Sequence, residues 1–171
     1  MKLKTKDITL IAMMVAVIEV SKFLLAQIPN VELTTFWIMM FSLYFGKRVY
    51  YAIIVFILIE GFVYGMQLWW IMYLYAWPLL ALVTMKLKDK STLNMSIVSC
   101  VFGLLFGFLC SFPYFFIGLP GGITEGIRTA FTWWIAGIPW DLVHGIANFI
   151  IMSLLHKPIE KVMNRYKYIS S

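Results

Sequence analysis

Asp141, His144 and Asn148 stand in one apolar stretch towards the end of the chain. At 3.6 residues per turn their offsets of three and seven place them within about 60° of one helical face. A carboxylate, an imidazole and an amide aligned in this way offer two chemistries. They can form a buried hydrogen-bond cluster that only positions helices, or they can line a cavity for a polar solute. One His and one Asp make a thin ligand set for a metal, so no metal site is expected. Glu19 and Lys22 lie at i,i+3 in an earlier apolar run, where they can pair with each other, and Glu60 lies in a third. A proton relay through Glu19, Glu60, Asp141 and His144 has no evident order. A second group is aromatic and polar: Asn30, Glu32, Trp69, Trp70, Tyr73, Arg128, Trp133 and Trp134. Rings of this kind suit a flat heterocycle by stacking. A membrane–water interface collects the same rings without any ligand.

Signals for catalysis are weak. The chain has no Gly-x-Ser-x-Gly, no His-Glu-x-x-His and no phosphate-binding glycine loop. No catalytic residue and no cofactor is expected. Without an ATP site, any coupling to energy must come from a partner or an ion gradient. Cys100 and Cys110 are ten positions apart in one run. A helix would hold them about 15 Å apart, so they read as reduced packing residues.

The elements that must carry these residues follow from composition. The chain has 171 residues. Of these, 62% are hydrophobic and 13% are charged, and the mean hydropathy is +0.87. A soluble domain is nearer a quarter charged. Too few polar groups remain to cover a water-facing globule, and the net charge of +6 does not imply nucleic acid. The reading is an all-α integral membrane protein of the cell membrane, multi-pass, with residues 1–171 forming one domain. The first apolar run lacks a small-residue cleavage site, so it reads as a retained helix and not a signal peptide.

A span needs about 20 apolar residues. Candidate spans run from about Ile8 to Ile28, Leu33 to Phe45, Val49 to Met66, Leu68 to Met85 and Leu93 to Ile117, and a sixth ends near His156. The expected fold is a compact bundle of six helices. The second run is short for a full crossing. The sixth has an open start: Pro139 either begins it or kinks a longer helix. Gly118 to Gly122 reads as a loop. The segment around Arg128 to Trp134 is then either an interfacial helix or the outer end of the sixth span. Six spans put twelve of the fourteen Lys and Arg on the side of the termini, leaving Lys22 and Arg128. The positive-inside rule then places both termini in the cytoplasm, against anionic lipid. In this frame the polar and aromatic groups gather in the outer half, and the inner half is nearly all Leu, Ile, Val, Met and Phe. That pattern predicts a pocket open to the outside, with no polar route through.

Ala12 and Ala16 form a small-xxx-small pair in the first helix. Small residues one turn apart admit a close helix neighbour, within the chain or from another. This pair, Ile28-Pro29-Asn30-Val31-Glu32, Gly46-Lys47-Arg48 after a short span, and the segment from Ile138 to Asn148 occur in order along the chain. Together they resemble the substrate-binding S components of energy-coupling factor transporters, over nearly the whole length. The resemblance implies a subunit that binds a vitamin or related micronutrient from outside, beneath loops after helices one, three and five. It implies partners: a transmembrane coupling subunit, docked at Ala12 and Ala16, and two cytoplasmic ATPases. The Pro-x-Asp-x-x-His segment is similar to the branch that includes cobalamin and queuosine-precursor carriers. Cobalamin ranks first, followed by a queuosine precursor, pyridoxine or pantothenate. Two other classes stay open. A small membrane enzyme would have only Glu19, Asp141 and His144 to work with. A self-sufficient secondary carrier should show inverted repeats, and none is evident.

Overall fold

In hydrocarbon every backbone amide and carbonyl must find its partner inside the segment, and these near-continuous apolar runs can do so only as helices. A computed structural model describes residues 3–87 and 90–167, with side chains to 165. The described residues are all helix, turn and loop, with no strand. Seven α-helices follow one another: α1 (Thr5–Leu25), α2 (Thr34–Phe45), α3 (Val49–Tyr64), α4 (Leu68–Lys86), α5 (Thr92–Leu104), α6 (Phe106–Gly118) and α7 (Ile123–Lys167). Lys2, Lys88 and the side chain of Lys167, all part of the basic pattern, lie outside the described residues.

Among the described residues, five helical runs are long and apolar enough to cross a membrane: Thr5–Leu25, Thr34–Tyr64, Leu68–Lys86, Thr92–Gly121 and Ile123–Arg165. The count is therefore five by length and composition, not the six expected. The difference lies in α2, whose 12 residues reach only about 18 Å. Gly46, at φ +55°, turns the chain at its end, and the 3-10 turn Gly46–Arg48 leads into α3. The left-handed φ explains why glycine stands there.

The fifth expected span is divided. The helix breaks at Leu105, and the freed Gly107 N–H donates to Asp141 Oδ1 of α7 at 2.9 Å. Asp141 thus caps α6 from a neighbouring helix. Pro113 inside α6 leaves the Leu109 carbonyl without its usual donor. The Tyr75 hydroxyl of α4 supplies one at 2.5 Å. The open start of the last span is settled by α7, which runs 45 residues through both Pro139 and Pro158. Arg128 to Trp134 is its first part, and the expected loop narrows to the 3-10 turn Leu119–Gly121 with Gly122 at φ +99°.

The contacts sort the helix ends. At one end of the bundle Arg48 Nε donates to Asp7 Oδ1 at 2.7 Å, Tyr44 donates to Glu160 at 3.2 Å, and Thr92 meets His156 at 2.9 Å. At the other end Lys22 pairs with Glu60, and Glu32 faces His144. Helix α2 is the centre of the core. Thr34, Thr35, Phe36, Ile38, Met39, Met40, Phe41 and Ser42 are all buried. Trp77 of α4 is fully buried beside Phe56, Phe102 and Phe106. Helices α5 and α7 meet backbone to backbone, so that a Cβ on Gly103 would stand 2.8 Å from Gly145 Cα.

The half of the bundle that the sequence pattern expects on the cytoplasmic side is less purely apolar than that pattern suggests. Ser42, Thr84 and Ser96 are buried there. Their hydroxyls donate to carbonyls of their own helices, at 2.6 Å to Ile38, 2.8 Å to Leu80 and 2.8 Å to Thr92. Bonded in that way they line no path through the bundle.

Candidate functional site

Pro29 ends α1's register and Asn30, at φ +57°, turns the chain back towards α2. Asn tolerates this conformation better than most side chains. The connection from Ala26 to Leu33 therefore folds over the end of the bundle instead of extending from it. Beneath it lies a cavity of about 230 Å³, lined by this connection with Lys22, Tyr73, Phe106 and His144.

Each lining group comes from a different element. His144 projects from α7 and is almost wholly buried, with its ring edge-on to Phe106 at 4.8 Å. Its Nε2 stands 3.5 Å from Glu32 Oε1, an ion-pair distance but too long for a good hydrogen bond, and it has no hydrogen-bond partner. Glu32 is itself steadied by Thr34, whose hydroxyl donates to Oε2 at 3.1 Å. Burial would raise the Glu32 carboxyl. The facing His144, the nearby Lys22 and the Thr34 hydroxyl outweigh it and hold that carboxyl below its ordinary value. Tyr73 from α4 stacks on Phe56 at 5.9 Å.

Lys22 is the link to a second cavity. That space, of about 290 Å³, lies on the side of the bundle between α1 and α3, against Glu19, Lys22, Phe23, Val63 and Tyr64. The Lys22 ammonium forms an ion pair with Glu60 and lies 5.5 to 5.7 Å from the rings of Phe56, Tyr64 and Tyr73. The i,i+3 pairing with Glu19 is thus replaced by a pair between helices. Buried Oε1 atoms of both Glu19 and Glu60 are left without a hydrogen-bond partner.

Of the residues singled out from the sequence, Asn30, Glu32, Tyr73 and His144 meet at the cavity. The others lie apart from its lining. Asp141 caps α6, as described. Asn148 Nδ2 donates to Thr35 Oγ1 at 3.4 Å and to the Ser99 carbonyl at 3.3 Å, joining α7 to α2 and α5. Trp69 sets its edge against Tyr73 at 5.2 Å, one layer behind the lining. Trp70 donates to the Ile57 carbonyl at 2.8 Å and packs on Gly61. Trp133 stacks on Tyr114 at 4.4 Å, and Trp134 lies between Phe108 and Phe131. Arg128 is exposed, 3.7 Å from Glu125. The stripe on α7 therefore serves both chemistries: its two ends tie helices together and its middle faces the cavity.

Lys22 and Phe106 are among the lining residues that sequence reasoning did not assign to a binding site. A lysine inside an apolar helix was the available signal for Lys22. Phe106 carried none, because it is one phenylalanine among fourteen. Ala12 and Ala16 both lie on the exposed face of α1.

The arrangement suits binding. A carboxylate, an imidazole, a phenol and two aromatic faces converge on a small space at one end of the bundle, under a segment that is not helical. Comparison of the chain with protein-family models, with curated proteins and with solved structures finds no match in any of the three.

Proposed function

We propose that the chain is a solute-binding membrane subunit of the S-component kind, which takes a vitamin or related micronutrient from outside for import. The observation that carries this reading is the cavity under the Ala26–Leu33 connection, where His144, Glu32 and Tyr73 converge. Pockets with mostly apolar walls and a few convergent polar groups are the usual form of small-molecule sites. At about 230 Å³ the cavity favours the smaller ligands implied by the resemblance over a corrinoid.

The same reading places both termini in the cytoplasm and counts α2 and α3 as two passes. Support comes from their contacts: Tyr44 and Arg48 lie with Glu160 and Asp7 at one end, while Thr35 meets Asn148 and Glu60 meets Lys22 further along. Ala12 and Ala16, exposed on α1, are then free to meet a coupling subunit. The chain carries no phosphate-binding loop of its own.

The test is uptake of labelled micronutrients by vesicles. The expected result is accumulation when the chain is co-reconstituted with a coupling subunit and two ATPases, and none from the chain alone. Uptake by the chain alone, driven by an ion gradient, would assign it to the secondary carriers instead.

A further inference from the structure

The charges around the cavity are unequal. Lys22 is the one lysine or arginine in its lining, and its ammonium is already paired with Glu60. Glu32 remains, with the His144 ring at 3.5 Å as its nearest ion-pair neighbour and no lysine or arginine within ion-pair distance among the described residues. Behind Lys22 stands Glu19, with one buried oxygen unpartnered. An anion entering here would meet Glu32 without a free positive partner, whereas a cation would find a carboxylate. His144 adds an independent indication. Its side chain is 3% exposed, it borders the cavity, and its Nε2 has no hydrogen-bond partner. A buried polar atom in that position needs a partner, and a polar group of a ligand in the cavity can supply one. The rings of Tyr73 and Phe106 complete the lining, and aromatic walls suit a flat ring.

We propose that the cavity binds a small aromatic cation, a planar ring bearing a protonated nitrogen that pairs with Glu32 and hydrogen-bonds to His144. This inference rests on the solute-binding reading above and adds the charge class of the solute. The volume of about 230 Å³ limits the ring system to one or two fused rings.

Two probes that share a ring and differ in charge test it: tryptamine, a cation, and indole-3-acetate, an anion. Binding to the purified full chain in micelles is read by calorimetry and by thermal shift. Tryptamine is expected to bind at least about tenfold tighter than indole-3-acetate. Glu32→Gln, a change in a connecting segment, should remove that preference, and circular dichroism of the unliganded variant checks that its helices are retained. Equal or reversed preference, or a preference that survives Glu32→Gln, overturns the proposal. Pyridoxine and pantothenate, one neutral and one anionic at pH 7, separate it from the broader reading. If either binds in a manner lost in Tyr73→Ala while no cation binds, the solute-binding reading stands and the cation class falls. If none of the four probes binds, both fall.

Discussion

Asp141 and His144 are one turn apart on α7, yet their partners predict different phenotypes. Asp141→Ala removes the acceptor for the Gly107 amide and leaves a buried donor unpaired. It should lower stability by about 1–3 kcal/mol, read as a lower melting temperature, with ligand affinity changed little. His144→Ala should weaken ligand binding about tenfold or more and disturb the melting temperature less, because His144 Nε2 holds no hydrogen bond to lose. Equal effects of the two variants on binding would place Asp141 in the site. Glu32 predicts a pH dependence. Its carboxyl is held below the ordinary value of about 4.3, so its contribution is fully present above that pH. The contribution is lost only as the pH falls through the depressed value. Ligand affinity should therefore stay flat on acidification from neutral until below about pH 4.3, and Glu32→Gln should abolish this acid limb. At this scale the sequence is legible where cost and periodicity agree. Three polar groups at helical spacing in an apolar run had to face inwards, and they do. The partner of Lys22 was not legible, because Glu60 is 38 residues away and only the packing of α1 on α3 brings it near. The tryptophans were ambiguous for a physical reason: an indole ring suits the membrane interface, the core and a binding site alike.

At the scale of elements, the repairs to broken helices carry the testable energetics. The Tyr75 hydroxyl occupies the carbonyl that Pro113 leaves open. Tyr75→Phe should cost about 1 kcal/mol. In a Pro113→Ala background, where an amide returns to that carbonyl, the same change should cost clearly less. A double-mutant cycle on thermal or denaturant unfolding reads the coupling, and an additive result would mean that the two features are independent. The close crossing of α5 and α7 makes a second prediction. Gly103→Leu forces a side chain against the Gly145 backbone and should destabilise the fold by about 1–3 kcal/mol, seen as a lower melting temperature. Helix existence was legible in the apolar runs, and most ends followed Pro, Gly or charged clusters. The break at Leu105 was not, because the Gly107 amide it frees is taken up by Asp141, 34 residues beyond Gly107. The continuity of α7 through Pro139 was open for a related reason. Proline both starts and kinks helices, and only the tertiary setting chooses between these.

For the whole molecule, the apolar exterior and the distribution of charge give one picture. Large apolar side chains such as Phe23, Leu24, Phe62 and Phe116 are exposed around the bundle, as lipid requires. Polar groups converge on the cavity at one end, and Arg48 with Asp7, Tyr44 with Glu160 and Thr92 with His156 tie helices at the other. Below the cavity the core of α2 and α4 is packed, and the buried hydroxyls of Ser42 and Thr84 are bonded to their own helices. On the proposed function, movement of the solute then needs a partner. Replacing Ala12 or Ala16 with Leu should leave ligand affinity unchanged and abolish uptake in the co-reconstituted vesicles. Lost affinity would instead assign that face of α1 to the fold. The central claim is that this chain, by itself, binds a small solute beneath the Ala26–Leu33 connection. Native mass spectrometry of the full chain, purified from a vitamin-replete host, tests it most directly. The account predicts a bound small molecule in one-to-one ratio, retained by the parent protein and absent from His144→Ala. An equally occupied His144→Ala would contradict the site, and a parent protein that is bare even after incubation with micronutrients would contradict the binding function.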